Sequence, residues 1–367
     1  MQILLSGFYF FYFAIVGIYV IFLPKVLAMV GYSGVEIGIV FATAPLVRFL
    51  VPFAFIKGLK LHKKAFNTAL LIIVATAFLF YLTLHNFYAL IATNIFLGIG
   101  LSLVLPYVEV IALSLITKER YGKVRLFGSI GFIVVALVLV KFLRSPETAI
   151  SFLLFVSIMT AVFGYLVTKR EVEESEEIVA GEEGRINLFS HWSLWVGLTL
   201  MQVSFGPFYN FFTLYETDHG IALDMTIYLW SFGVVMEIIM LFFQGRLLQK
   251  NILTILQIAT FATAIRWLLL FLFPQSLEVS FFTQAIHAVS FALFHSAAIS
   301  YLFTLYKKRK LAQQFFLGVT YGLGGFVGAV YSGYVYEYFN AYLFLSSALV
   351  AFGAFAFIRY EAKKAYM

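Results

Sequence analysis

Hydrophobic residues along this chain run in long stretches, and short polar turns that carry most of the charge separate them. A helix needs about 20 mostly apolar residues to cross a lipid bilayer. By that criterion the pattern predicts an all-α membrane protein with twelve transmembrane helices. The predicted helices occupy residues 3–30, 35–56, 65–84, 87–117, 124–142, 148–167, 189–214, 225–247, 253–273, 279–306, 311–338 and 342–358.

The composition agrees with this prediction. Of the 367 residues, 62% are hydrophobic and 12% are charged, and the mean hydropathy is +0.96. Soluble proteins are about 45–50% apolar and about 25% charged. The chain has no cysteine, which excludes disulfides and thiolate metal sites. The first segment lacks the basic n-region of a cleavable signal peptide, so we expect it to be retained as a helix.

The positions of Lys and Arg predict the orientation. Cytoplasmic loops of membrane proteins are enriched in these residues, and twenty of the 25 fall in every second loop or the C-terminal tail. We therefore expect a multi-pass protein of the inner (plasma) membrane with both termini cytoplasmic. Basic residues spread over separate turns do not form a nucleic-acid patch. The acidic residues expected in the outside loops are Glu147, Glu216, Asp218, Asp224, Glu278 and Glu337.

One polar segment interrupts the pattern halfway along the chain. Residues 171–185 contain seven glutamates and no aromatic residue, a composition typical of a flexible solvated segment. We predict an N-terminal six-helix bundle at 1–168, an acidic cytoplasmic linker at 169–188 and a C-terminal six-helix bundle at 189–367.

Few ionisable residues lie inside the predicted helices. Such residues are costly in lipid and usually face a bundle interior or a water-filled cavity. Glu109 with Arg125, at the start of the fifth helix, and Glu237 with Arg266 are candidate pairs. Each pair is either a static salt bridge that fixes helix packing or part of a functional site. The ionisable residues inside the predicted helices are Arg48, Glu109, Glu237, Arg266, His287 and His295.

The second half of the chain holds the denser group of these residues. Glu237, Arg266 and His287 fall on three consecutive predicted helices. A buried carboxylate whose proton affinity depends on a nearby cation can bind and release a proton, and an unpaired Arg can bind a substrate carboxylate. Phe208 and Tyr209 belong to an aromatic run that either lines a pocket or packs in the core. His62 and His191 are expected in loops, too isolated for a metal site.

The segment YGKVRLFGSIGF at 121–132 resembles the signature between helices 4 and 5 of the oligosaccharide–proton symporter branch of the major facilitator superfamily, which includes lactose permease. It is more similar still to the YGKVRLWGS pattern of the 3-phenylpropionate transporters, with Phe127 in place of Trp. The segments FYFFYFAIVGIYVIFLP at 8–24, YLWSFGVVMEI at 228–238 and IRW at 265–267 are similar to the same family.

The resemblance implies two pseudo-symmetric six-helix bundles around a central cavity, working by alternating access. It also implies that Glu109 and Arg125 match the Glu and Arg that contact sugar in lactose permease. Phe132 replaces the Trp that stacks on the sugar, and Ser290 replaces a carboxylate that is central to proton release. Both replacements favour a substrate other than a sugar.

The sequence therefore predicts a secondary active transporter that carries a small organic solute together with protons. An aromatic or other carboxylic acid is favoured, and a sugar or nucleoside symporter or an effluxer on the same fold is the alternative. The expected substrate-binding residues are Glu109, Arg125, Phe132, Arg48, Phe208 and Tyr209, and the expected proton-coupling residues are Glu237, Arg266, His287 and His295.

Other classes of function fit the sequence less well. No P-loop, GxSxG or HExxH motif is present, so a membrane-embedded enzyme is not expected. A sensor or assembly factor on a transporter scaffold is a further alternative. The buried charges in both halves of the chain argue against it. We expect no cofactor, metal or nucleic-acid partner, and a monomer whose partners are the solute, protons and the bilayer.

Overall fold

A computed structural model describes residues 1–56, 62–116, 118–169 and 187–365, and every regular element in this part of the chain is helical. The chain separates into two compact units, Met1–Gly181 (unit 1) and Glu182–Met367 (unit 2). The predicted acidic linker falls almost wholly on residues 170–186, which lie outside the described residues.

Unit 1 begins with a long helix that changes its winding partway. Helix α1 spans Gln2–Gly17, a π-helical turn follows at Ile18–Phe22, and α2 continues over Leu23–Val30. Pro24 lies in the first turn of α2, where a missing backbone N–H costs little. The remaining helices of unit 1 are α3 (Gly34–Ile56), α4 (Lys63–Thr83), α5 (Phe87–Leu115), α6 (Lys118–Phe142) and α7 (Pro146–Lys169).

Unit 2 contains more interrupted helices. A short 3₁₀ turn at Phe189–His191 precedes α8, and π-helical turns at Ala288–Leu293 and Phe316–Leu323 interrupt two others. Turns of this kind leave some carbonyl groups outside the α-helical pattern and are frequent at functional sites. The α-helices are α8 (Trp192–Ser204), α9 (Gly206–Asp218), α10 (Leu223–Leu247), α11 (Ile252–Leu272), α12 (Leu277–His287), α13 (Phe294–Leu305), α14 (Arg309–Phe315), α15 (Gly324–Phe339) and α16 (Leu343–Ala365).

The same order of helix pairing occurs inside both units. In unit 1, α1 packs on α6 and α7, α3 packs on α5, and α4 packs on α5 and α7. In unit 2, α8 and α9 pack on α15 and α16, α10 packs on α12, and α11 packs on α12, α13 and α16. In each unit the first helix or helix pair packs on the last two helices, and the prediction of a helical membrane fold with two similar halves agrees with this pairing.

Ten segments of the described chain are long and apolar enough to cross a membrane. One of the ten, Leu311–Lys364, includes the turn at Asn340–Tyr342 and so joins two helices. The pieces α8 and α9 have 13 residues each and are too short to be counted singly. The multi-pass helical fold is confirmed, and the number of twelve crossings stays a prediction.

Two predicted boundaries are wrong. The gap predicted at 118–123 is helical, because α6 begins at Lys118 and continues through Arg125. The seventh predicted helix, 189–214, is broken at Phe205 and continues to Asp218. A hydropathy pattern ends where charge begins, whereas Lys, Arg and Glu are good helix formers that extend a helix past its apolar run.

Glycine permits the close contact between α1 and α6. A Cβ atom at Gly131 would overlap the backbone carbonyl of Phe10, and one at Gly128 would lie 2.7 Å from the ring of Phe13. Small residues let helix backbones approach in lipid, where packing rather than the hydrophobic effect drives association. The glycines of the segment 121–132 therefore place α6 directly against α1.

We predict that Gly131→Ala lowers the thermal midpoint of the purified protein in detergent. The added methyl group must push α6 from the Phe10 carbonyl, and overpacking of this kind costs about 1–3 kcal/mol. Gly122→Ala on the same helix is the matched control, because nothing lies within 4 Å of a Cβ atom there. Equal midpoints for the two variants would contradict this account of the contact.

Candidate functional site

The candidate site in unit 1 centres on Arg125 of α6. Its Nε atom lies 3.6 Å from Oε1 of Glu109 on α5. The guanidinium also lies 4.1 Å from the ring centroid of Phe13 and 5.2 Å from that of Tyr9, both on α1. Because a Cβ atom at Gly128 would lie 3.0 Å from Nη1 of Arg125, the glycine leaves room for this stack.

The pair formed by Arg125 and Glu109 is only partly shielded. The side chains are 31% and 35% exposed, so the two charges can be reached from outside the unit. The carboxylate partly compensates the cation, and the aromatic faces of Phe13 and Tyr9 stabilise it further. Together the four side chains provide a hydrogen-bond donor (Arg125), a hydrogen-bond acceptor (Glu109) and two aromatic rings.

The other two predicted substrate residues of unit 1 lie apart from this pair. Arg48 is exposed on α3. Phe132 is buried, and its backbone and ring pack against Gly17 of α1. In this conformation Phe132 therefore has a packing contact within unit 1.

The candidate site in unit 2 centres on Arg266 of α11, which is fully buried. Its Nη1 atom lies 3.0 Å from Nδ1 of His287 and donates to Oγ of Ser290 at 3.3 Å. Its Nη2 atom donates to Oε1 of Gln284 at 3.2 Å. Since arginine can only donate, Nδ1 of His287 accepts and the imidazole is neutral.

Aromatic rings enclose the same guanidinium. It lies 4.3 Å from the ring centroids of Phe208 and Trp267 and 5.7 Å from that of Phe205. His287 stacks on Phe291 with ring centroids 5.2 Å apart. Cation–π contacts of a desolvated arginine are worth about 2 kcal/mol, so the rings offset part of the cost of burying the charge.

Two hydrogen-bond donors at the Arg266 site have no acceptor among the described residues. They are Nε of Arg266 itself and Nε2 of Gln284, both inaccessible to solvent. A buried donor without a partner costs about 1–3 kcal/mol. Arg266 already donates a hydrogen bond to the amide oxygen of Gln284. The two unsatisfied donors, Nε of Arg266 and Nε2 of Gln284, therefore belong to side chains that contact each other.

The break between α8 and α9 positions Phe205 and Phe208. Phe205 ends α8 with a φ of −81° and a ψ of −7°, and Pro207 lies in the first turn of α9. A Cβ atom at Gly206 would overlap the backbone of Gly328 on α15. Chain geometry at this break therefore places the two rings on Arg266.

The remaining predicted residues of unit 2 lie on neighbouring helices. Phe208 is buried, Tyr209 is half-buried beside it, and Glu237 is half-buried on α10. His295, half-buried on α13, has its Nδ1 atom 2.7 Å from the hydroxyl of Tyr321. The hydrogen bonds that Arg266 donates go to His287, Ser290 and Gln284.

Two buried carboxylates were not recognised from the sequence. Glu216, expected in an outside loop, is fully buried on α9. Glu361, in the charged C-terminal tail, is 2% exposed and accepts a hydrogen bond from Ser193 at 2.5 Å. His191, expected to be isolated, lies 2.5 Å from Glu361. Their partners are far away in sequence, so no local pattern could have indicated these contacts.

Metal binding has no support in the described part of the chain. No group of three or more His, Asp or Glu side chains there is close enough to hold an ion. Arg125, which is paired with Glu109, and Arg266, which is enclosed by aromatic rings, are instead suited to bind a solute with polar and aromatic groups.

The helical fold and these enclosed charges are typical of a multi-pass membrane protein. The profile of the MFS_1 like family matches residues 2–346, so the chain belongs to that family. The resemblance predicted from the sequence is confirmed. The relatives found are transporters of the major facilitator type rather than enzymes.

Two relatives and one solved structure illustrate the similarity. The chain is 25% identical over 248 residues to the probable 3-phenylpropionic acid transporter of Escherichia coli (strain K12), covering 64% of this chain and 63% of that protein. It is 22% identical over 371 residues to the uncharacterized transporter YwbF of Bacillus subtilis (strain 168), covering 98% and 93%. The crystal structure of the nucleoside transporter NupG shares the fold, with a TM-score of 0.80, 18% identity and 98% of each chain covered.

We predict that Glu361→Ala destabilises the purified protein more than Glu109→Ala does. The first change leaves Ser193 and His191 without their buried partner, and hydrogen bonds to charged groups are worth about 1.5–3 kcal/mol. The second removes one member of a partly exposed pair, which contributes about 0–1 kcal/mol. Thermal unfolding of the two variants in one detergent measures the difference. A larger loss for Glu109→Ala would show that the pair in unit 1 is a structural salt bridge.

Proposed function

We propose that this protein is a proton-coupled transporter of a small organic carboxylate, with an aromatic acid as the favoured substrate. The observation that carries the proposal is the state of Arg266. This guanidinium is fully buried, and among the described residues it donates hydrogen bonds only to neutral acceptors. A buried charge is normally paired or coordinated, so the site is suited to an anion supplied from outside the protein.

The geometry around Arg266 supports a carboxylate as that anion. Carboxylate oxygens accept well-aligned bonds from a guanidinium, and Nε of Arg266 and Nε2 of Gln284 are donors without a partner in the described chain. One carboxylate supplies enough acceptor sites for both of them. A sugar or nucleoside hydroxyl also accepts hydrogen bonds, but it brings no charge to balance the arginine.

The surrounding rings support an aromatic substrate. Phe205, Phe208 and Trp267 lie on the guanidinium, and a substrate ring can stack or meet such rings edge to face. A relative whose name specifies 3-phenylpropionic acid is consistent with a ring joined to a carboxylate. The residues that contact Arg266, here called the Arg266 cage, are Phe205, Phe208, Trp267, Gln284, His287 and Ser290. Because the cage is closed in this conformation, a substrate can enter only after a local movement. The break at Phe205 and Gly206 is the natural place for that movement.

In unit 1 the proposal assigns Glu109 and Arg125 to solute contact. They are partly exposed and lie beside the rings of Phe13 and Tyr9. We assign the proton-coupling role to Glu237 together with His287 and His295. Arg266, which the sequence analysis placed in the same set, is assigned to the substrate instead. The alternative is a sugar or nucleoside symporter, or an effluxer.

We expect 3-phenylpropionate to raise the thermal midpoint of the wild-type protein, and Arg266→Gln to abolish the shift. A ligand at 100 times its Kd stabilises a protein by about 2.7 kcal/mol, whereas the variant lacks the charge that holds the carboxylate. Arg246→Gln is the control, because Arg246 is an exposed residue at the end of α10. An unchanged shift in Arg266→Gln would contradict the assignment, and stabilisation by glucose or uridine alone would favour the alternative substrates.

We further expect Glu237→Gln to uncouple solute movement from the proton gradient in proteoliposomes. Glutamine has the size of a protonated carboxyl group but cannot release a proton, so exchange of labelled for unlabelled solute should continue while gradient-driven accumulation is lost. One coupled proton supports at most about a tenfold accumulation per pH unit. Wild-type accumulation in the variant would exclude Glu237 as the coupling residue.

A further inference from the structure

The carboxyl group of Glu216 occupies an unusual position in unit 2. The residue lies on α9 and is fully buried. Its oxygen atoms lie 3.3 and 3.2 Å from the hydroxyl of Ser280 on α12, which is also fully buried. A hydroxyl has one hydrogen to donate, so Ser280 serves only one of the two carboxyl oxygens at a time.

No cation compensates this carboxyl group in the described part of the chain. The ion pairs found there join Arg125 to Glu109 and His191 to Glu361. An ionised carboxylate without a cation is costly in a buried environment, and the group takes up a proton instead. The neutral acid fits the site, since it can donate to Ser280 as well as accept from it.

The other titratable groups near Glu216 either form hydrogen bonds to other partners or are exposed to solvent. On α9, Tyr215 donates to the carbonyl of Leu270 at 3.1 Å, and His219 has its Nδ1 atom 2.8 Å from the carbonyl of Tyr215. Asp218 accepts from Tyr336 of α15 at 2.6 Å. The exposed acids of α10, α12 and α15 are Asp224, Glu278 and Glu337.

The contact between Glu216 and Ser280 uses the same two helices as the Arg266 cage. Helix α9 carries Phe208 eight residues before Glu216, and α12 carries His287 seven residues after Ser280. Seven or eight residues make about two helical turns, roughly 10–12 Å. A sliding or rotation of α9 against α12 therefore changes both the cage and the Glu216 contact.

We propose that Glu216 is a second proton-binding site, which is loaded while it contacts Ser280 and unloaded when α9 and α12 move apart. The proposal rests on the proton-coupled function above and adds a site to it. Binding at Arg266 and proton binding at Glu216 then influence each other through the α9–α12 contact, as linkage requires.

A route for the proton begins at the end of α9. His219 is partly buried and directly follows the last residue of α9, three positions after Glu216. Its ring lies against that of Tyr215, with centroids 4.1 Å apart. Besides the Nδ1 atom that contacts the Tyr215 carbonyl, the imidazole has a second ring nitrogen, so His219 is placed to relay a proton between Glu216 and the solvent.

Infrared spectroscopy of the purified full-length protein tests the proton site without any substrate. We expect wild-type protein at neutral pH to have a band from a protonated carboxyl group that is absent in Glu216→Gln and shifted in Ser280→Ala. Glu278→Gln is the matched control, because Glu278 is an exposed carboxylate on the same helix as Ser280. If neither Glu216→Gln nor Ser280→Ala alters a carboxyl band, Glu216 is ionised and the proposal is overturned.

Transport in proteoliposomes tests whether that proton is coupled. With 3-phenylpropionate as the probe, we expect Glu216→Gln to keep solute exchange and to lose up to about a factor of ten in accumulation per pH unit. Wild-type accumulation in Glu216→Gln overturns the coupling role while leaving the proposed function intact. If the wild-type protein exchanges the probe but does not accumulate it in response to a proton gradient, both the coupling role of Glu216 and the proposed proton-coupled function are overturned.

If the wild-type protein does not exchange the probe at all, the favoured substrate class fails. The infrared result then decides the proton site by itself. His219→Gln provides a separate readout, for which we expect slower proton exchange at Glu216 after a pH jump and an unchanged carboxyl band.

Discussion

The burial of the Arg266 charge is the interaction on which much of unit 2 depends. A guanidinium removed from solvent needs its donors satisfied and its charge stabilised. Gln284, His287 and Ser290 satisfy donors from α12 and the π-helical turn that follows it, and the rings of Phe205, Phe208 and Trp267 stabilise the charge. Residues of α8, α9, α11 and α12 thereby contact one side chain, so the anion proposed to bind Arg266 would act on all four helices together.

Irregular backbone is concentrated next to this cage. The break at Phe205, with Gly206 against Gly328, lies at one side, and the π-helical turn at Ala288–Leu293 begins directly after His287. Local interruptions of a helix provide places where it can bend without breaking all of its hydrogen bonds. The residues that would contact an anion and the points at which the helices can bend are thus adjacent in the chain.

Much of the fold could be predicted because hydropathy and loop charge are local properties. The apolar runs gave the position of α3, α4 and α10 to within about two residues, and the segment around Arg125 indicated the family. The surroundings of Glu216 and His191 were not predicted because their partners, Ser280 and Glu361, are far away in sequence. The surroundings of Arg266 were only partly predicted. Gln284 is a neutral residue that a search for charge does not find, and Ser290 was noted only as the replacement of a carboxylate, not as a partner of Arg266.

The two arginines differ in how their charge is compensated, and this difference bears on the substrate. In unit 1, Arg125 has Glu109 at 3.6 Å, so an added anion there competes with a carboxylate already present. In unit 2, the partners of Arg266 are neutral, and the site is shielded from water, where electrostatic attraction is little screened. An anion therefore gains more at Arg266 than at Arg125. A hydroxyl group would leave the buried charge uncompensated, and for that reason a carboxylic acid complements unit 2 better than a sugar or a nucleoside does.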